Sequence, residues 1–128
     1  MTAKPVLSKN APEAVGPYSH GFQAGNYIFV SGQMPVDPVS GEMVRGEAGE
    51  KATQCMKNVL AILAEAGMTA ENIVKTTIFL KDMDDFSLVN EAYASFFKGN
   101  YPARSCVEVS RLPKDVEVEI EVIAYKEK

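Results

Sequence analysis

The sequence predicts an α+β fold of order ββαβαββ, one mixed sheet with two helices packed on one of its faces. Three observations lead there. Two segments carry apolar residues at three- and four-residue steps, the mark of helices with one buried stripe. Five others alternate in polarity or are rich in β-branched residues, the mark of strands. The length of 128 residues suits one domain, residues 1–128, with one core.

The first expected strand is YSHGFQAG, Tyr18 to Gly25, and the second is NYIFVSGQ, Asn26 to Gln33. Gly25-Asn26 between them is hairpin chemistry, because both residue types tolerate positive φ. The loop MPVDPVSGEMVRGEAG follows, its prolines and glycines breaking any long element. Glu50 to Ala66 then predicts a helix. Ala52, Cys55, Met56, Val59, Leu60 and Leu63 share one stripe, and Gly67 is a natural stop. Asn72 to Asp82 is the next strand. A second helix starts near Asp84 as N-cap, with Phe86, Val89, Tyr93 and Phe97 as its stripe and Gly99 at its end. Pro102 turns the chain into YPARSCVEV, Tyr101 to Val109, which places Arg104, Cys106 and Glu108 on one side. After the turn RLPKD, Val116 to Tyr125 alternates with a clean period of two.

Two helices cover one face of such a sheet and leave the other open. The candidate open face carries Lys75, Thr77, Phe79 and Lys81 on one strand and Glu119, Ile123 and Tyr125 on another. A mixture of aromatic, aliphatic and charged residues suits a wet subunit interface. A homo-oligomer with sites between its subunits is therefore expected.

Composition narrows the function. The formal net charge is −4 and the basic residues are scattered, which argues against a nucleic-acid partner. The start, MTAKPVLSKN, lacks an apolar signal core, and no apolar run is long enough for a membrane span. With two separated cysteines, Cys55 and Cys106, a cytoplasmic, reducing setting is expected. One His and two distant Cys do not make a structural zinc site, and no glycine-rich phosphate loop is present.

Several residues remain as carriers of chemistry. Arg104 begins a strand and is suited to hold a carboxylate through two parallel hydrogen bonds, or to form a surface ion pair. Glu119, mid-strand, can order or deprotonate a water if partly buried, or simply keep a strand edge soluble. Cys106 as a nucleophile needs a base, and His20 is far away in sequence, so Cys106 reads as a small apolar residue and His20 as structural or surface. Gly32 ends a strand and lets backbone approach a ligand, or makes a plain turn. Asn90 borders the apolar stripe of its helix.

Together, NAPEAVGPYSHG, VSGQMPVDPVSGE, IVKTTIFLKDMDDF, VNEAY and PARSCVEVSRLPKDVEVEIE resemble the RidA/YjgF family of enamine/imine deaminases, in order and nearly end to end. The resemblance implies a chorismate-mutase-like fold and a homotrimer with sites in the clefts between subunits. It implies hydrolysis of 2-aminoacrylate/2-iminopropanoate and 2-iminobutanoate to 2-keto acids and ammonia, without a cofactor. Such imines arise when pyridoxal-phosphate dehydratases act on serine and threonine, and their removal protects pyridoxal-phosphate enzymes. By matching position, Arg104 would hold the substrate carboxylate and Glu119 the attacking water. Tyr18, Gly32, Asn90 and Cys106 would line the pocket, Cys106 chiefly through its backbone. Many members have Gln-Thr where this chain has Lys51-Ala52. The other readings are a non-catalytic, ligand-binding or chaperone-like trimer, a ribonuclease, disfavoured by the net charge and the lack of a His pair, and a chorismate-type mutase, for which the pocket supplies too few cations.

Overall fold

The computed structural model describes residues 3–127. Its strands are β1 (Ala3–Val6), β2 (Gly21–Ala24), β3 (Tyr27–Gln33), β4 (Ile73–Leu80), β5 (Ala103–Glu108) and β6 (Val118–Tyr125). The helices are α1 (Ala48–Ala64) and α2 (Phe86–Ala94). The strands form one mixed sheet in the order β1-β2-β3-β6-β4-β5. All neighbours are antiparallel except β4 and β5, which run parallel because α2 carries the chain back between them.

One strand lies beyond the expected order. β1 precedes the hairpin, so the chain reads βββαβαββ rather than ββαβαββ. Its four residues, AKPV, bury only Val6, leaving almost no alternation to read. Pro5 lacks a donor and is tolerated because β1 is an edge strand. The following strand is shorter than expected, starting at Gly21, so Tyr18 lies in the loop before it. Gly25, with φ of 59°, makes the hairpin turn.

α1 begins two residues earlier than expected. Glu47 and Glu50 form a reciprocal capping box at its start. Gly67, with φ of 71°, follows its end. α2 is shorter than its apolar stripe suggests. Asp82, not Asp84, does the capping, and it caps a single 3-10 turn, Met83–Asp85, that precedes the helix. The helix stops at Ala94, and Phe96 and Phe97 pack against the core from the turn beyond it.

Strand parity decides what is inside. Val118, Ile120, Val122 and Ala124 of β6 are buried, as are Thr76, Ile78 and Leu80 of β4. With Met56, Val59, Ile62 and Leu63 of α1 they form the core between sheet and helices. The opposite face carries no helix, and Phe22, Tyr27, Phe29 and Val107 are all more than 40% exposed.

One buried polar side chain ties the long loop to this core. Asn58, 1% exposed on α1, donates to the carbonyls of Met34 and Val36 at 3.1 and 2.9 Å. Its own oxygen accepts from Gln54 at 2.9 Å. Asn58→Ala strands two loop carbonyls in an apolar setting and is expected to cost about 2–3 kcal/mol in urea unfolding. A loss below about 0.5 kcal/mol would show that the loop is held elsewhere.

Candidate functional site

The sheet's two faces divide the candidate residues. On the open face, Glu119 pairs with Phe79 of β4. It rests against Gly32 of β3, where the β3–β6 register shifts between Val30 and Gln33. A β-carbon added to Gly32 would overlap the carboxylate, whose Cδ would be 2.8 Å away. Glycine here gives Glu119 its place, a tighter requirement than either the ligand approach or the plain turn expected from the sequence. The carboxylate Oε2 is buried and, among the described residues, has no hydrogen-bond partner. Burial, then the charge of Glu121 nearby, raises the Glu119 pKa above the usual glutamate value.

Tyr18 and Gly32 line the same small pocket, with Pro12, Glu13, His20 and Met34 around them. The loop bearing Tyr18 is pinned by His20, which is buried. His20 Nδ1 accepts from the Ser8 amide at 3.0 Å, so Nε2 carries the proton and donates to the Pro12 carbonyl at 2.7 Å. Both nitrogens are committed, and His20 is structural.

The second group lies on the helix-covered side. Arg104 pairs with Thr76 and Cys106 with Ile78, both core residues. Arg104 Nη1 donates to Asn90 Oδ1 at 2.6 Å. Its Cζ lies 5.5 Å from the Phe86 ring centre and 5.2 Å from that of Tyr93. Thr76 and Phe79 have opposite parity on β4, so Arg104 and Glu119 point to opposite sides of the sheet. Within one chain the structure joins Arg104, Asn90 and Cys106, and separately Tyr18, Gly32 and Glu119. It does not join the two groups.

The comparisons with known proteins lead to one family whose members carry different names. The family model described as Endoribonuclease L-PSP matches residues 8–126. The chain belongs to this family, the RidA/YjgF family. A protein of Escherichia coli named 2-iminobutanoate/2-iminopropanoate deaminase is 50% identical over 127 residues, covering 97% of this chain and 98% of its own. A RutC family protein of Pyrococcus horikoshii is 50% identical over 122 residues, covering 95% of this chain and 97% of its own. Among solved structures, Escherichia coli TdcF with bound serine superposes with a TM-score of 0.93 at 43% identity, covering 97% of this chain and 99% of that one.

Against that family pattern, the remaining candidates find places. Cys106 is partly buried, and burial raises its thiol pKa while Arg104 lowers it, leaving a protonated thiol rather than a nucleophile. Cys55 is fully buried, its thiol pushed higher still by burial and by Glu119. Neither cysteine is in a disulfide. Glu108, unassigned by sequence, accepts from the Met83 amide at 2.8 Å and holds the turn before α2. Lys51 pairs with Glu117 at 2.8 Å, bracing the start of β6. Among the described residues no cluster of three or more His, Cys, Asp or Glu is arranged to hold a metal. No helix of the described residues is long and apolar enough to cross a membrane.

Sequence reasoning passed over Phe86, Tyr93 and Thr76 as parts of the site, reading the two aromatics as core. The signal was present, since Phe86, Asn90 and Tyr93 follow steps of four and three on one helix.

Two predictions come from the carboxylate. Because its folded pKa is raised, the folded state binds the proton more tightly than the unfolded chain. Stability therefore falls as pH rises from the usual glutamate value through the raised one. Urea unfolding across that window should show the fall in the unmutated protein and its absence in Glu119→Gln. In Gly32→Ala the displaced carboxylate should titrate closer to the usual value. Carboxyl carbon NMR reads this directly, and an unchanged midpoint would show that Gly32 does not set its position.

Proposed function

We propose that the chain is a 2-iminobutanoate/2-iminopropanoate deaminase working as a homotrimer. Its substrates are 2-aminoacrylate/2-iminopropanoate and 2-iminobutanoate, its products the 2-keto acids and ammonia, and its effect is protection of pyridoxal-phosphate enzymes. The observation that carries the reading is Glu119 Oε2, buried, unpartnered and backed by a glycine. A buried carboxylate oxygen without a protein partner suits a bound water. The deaminase name of the 50%-identical Escherichia coli relative supports the same chemistry. The bound serine of TdcF supports an amino-acid-sized ligand carrying a carboxylate.

An iminium carbon is already electrophilic, so the protein has to position rather than activate. Arg104 of a neighbouring copy holds the substrate carboxylate, its guanidinium edge outside the Asn90 bond being free to bind in the plane. Glu119 takes a proton from the water as the water oxygen bonds to C2. It returns that proton to the nitrogen of the resulting carbinolamine. The C2–N bond then breaks, the hydroxyl proton passes to the departing nitrogen, and the keto acid and ammonium are released. The raised Glu119 pKa brings the base closer to neutral pH.

Opposite parity of Arg104 and Glu119 supports a site shared between copies of the chain. The exposed aromatic face of Phe22, Tyr27 and Phe29 supplies a surface for their contact. Coupled to a threonine dehydratase, Arg104→Ala is expected to lose on the order of 100-fold in kcat/KM. Glu119→Gln should lose activity chiefly in kcat. Keto-acid release by Arg104→Ala at the unmutated rate would remove the clamp, and a monomer in light scattering would remove the shared site. A folded trimer that accelerates no imine hydrolysis but holds aggregating clients would favour the non-catalytic reading.

A further inference from the structure

Arg104 does not stand free on its strand. Its guanidinium rests on two rings of α2 and is tied to the amide of Asn90 between them in sequence. Phe86, Asn90 and Tyr93 occupy one stripe of that helix and make three contacts with one cation. The Tyr93 ring is fixed in turn. Its hydroxyl shares a hydrogen bond of 2.8 Å with Thr76 Oγ1. Thr76 is fully buried and lies directly beside Arg104 in the β4–β5 register. Tyr93 itself is 3% exposed and packs against Phe97 with ring centres 4.9 Å apart.

We propose that Tyr93, locked by Thr76, is a positioning residue for substrate carboxylate binding, with Phe86 as the second ring of the same seat. An arginine side chain has four flexible torsions, and a lone hydrogen bond to Asn90 leaves most of them free. Two ring contacts and the amide fix both the plane and the heading of the guanidinium. The rings take up part of its faces, so an incoming carboxylate is steered to the edge and meets two parallel N–H groups. Tyr93 itself does not touch the substrate, because its hydroxyl is committed to Thr76.

This inference rests on the deaminase reading, and its test separates the two. Steady-state kinetics would compare Tyr93→Leu, Tyr93→Phe, Phe86→Leu and Arg104→Ala, each checked for folding by circular dichroism and for assembly by light scattering. Tyr93→Leu should raise KM about tenfold and leave kcat within about twofold; Phe86→Leu and Tyr93→Phe should raise KM about threefold. Two inhibitors distinguish seating from general loosening. Inhibition by 2-oxobutanoate should weaken in parallel with KM, while inhibition by the uncharged 2-oxobutanamide stays as in the unmutated protein. Equal weakening of both inhibitors, or an unchanged KM in the variants that fold, overturns the role of Tyr93. If Arg104→Ala also keeps its KM and its 2-oxobutanoate inhibition, the clamp itself falls and the positioning role falls with it. Tyr93→Phe keeps the ring and most of its packing, so it carries the test if Tyr93→Leu does not fold.

Discussion

Everything in this molecule follows from the two-residue period of its sheet. Side chains on β6 alternate between a helix-packed core and a face with no helix. Glu119 falls on the open side, one residue from Val118 and Ile120 in the core. On β4 and β5 the same alternation sends Thr76 and Arg104 toward α2. A one-residue slip would bury Glu119 beneath α1 and expose the core, so register is held by the full weight of the apolar packing. The separation of cation and carboxylate is therefore a fixed consequence of folding.

Much of this was legible in the sequence. The alternation of Val116 to Tyr125 was clear because one face is uniformly aliphatic and the other opens with three glutamates before Ile123 and Tyr125. The stripe of α1 was clear for the same reason. β1 was hidden because an edge strand needs only hydrogen bonds from one neighbour, and AKPV has neither alternation nor β-branched weight. The end of α2 was misjudged because Phe97 continues the apolar stripe, yet it reaches the core from a turn rather than from a helix.

The candidate site was legible as a set of residues but not as a geometry. Gly32 gave no hint that a carboxylate on the neighbouring strand β6 would need its missing side chain, since that contact depends on the irregular β3–β6 register. Arg104 was visible as a cation, but its seat was not. Aromatic residues on a helix stripe read as core until the strand opposite is known to carry an arginine. Glu108 had no role in the sequence and His20 read as structural or surface, and backbone groups occupy both.

The protonated state of the two thiols has a chemical consequence. An imine carbon is an electrophile, and a thiolate is among the best nucleophiles that proteins offer. Burial holds Cys55 and Cys106 as thiols, and His20 spends both nitrogens on backbone. The proposed shared site would present a guanidinium, an amide, a phenol and a carboxylate, groups that give an electrophile little to attach to. In that reading, the scarcity of nucleophiles is as much a product of the fold as the binding groups are.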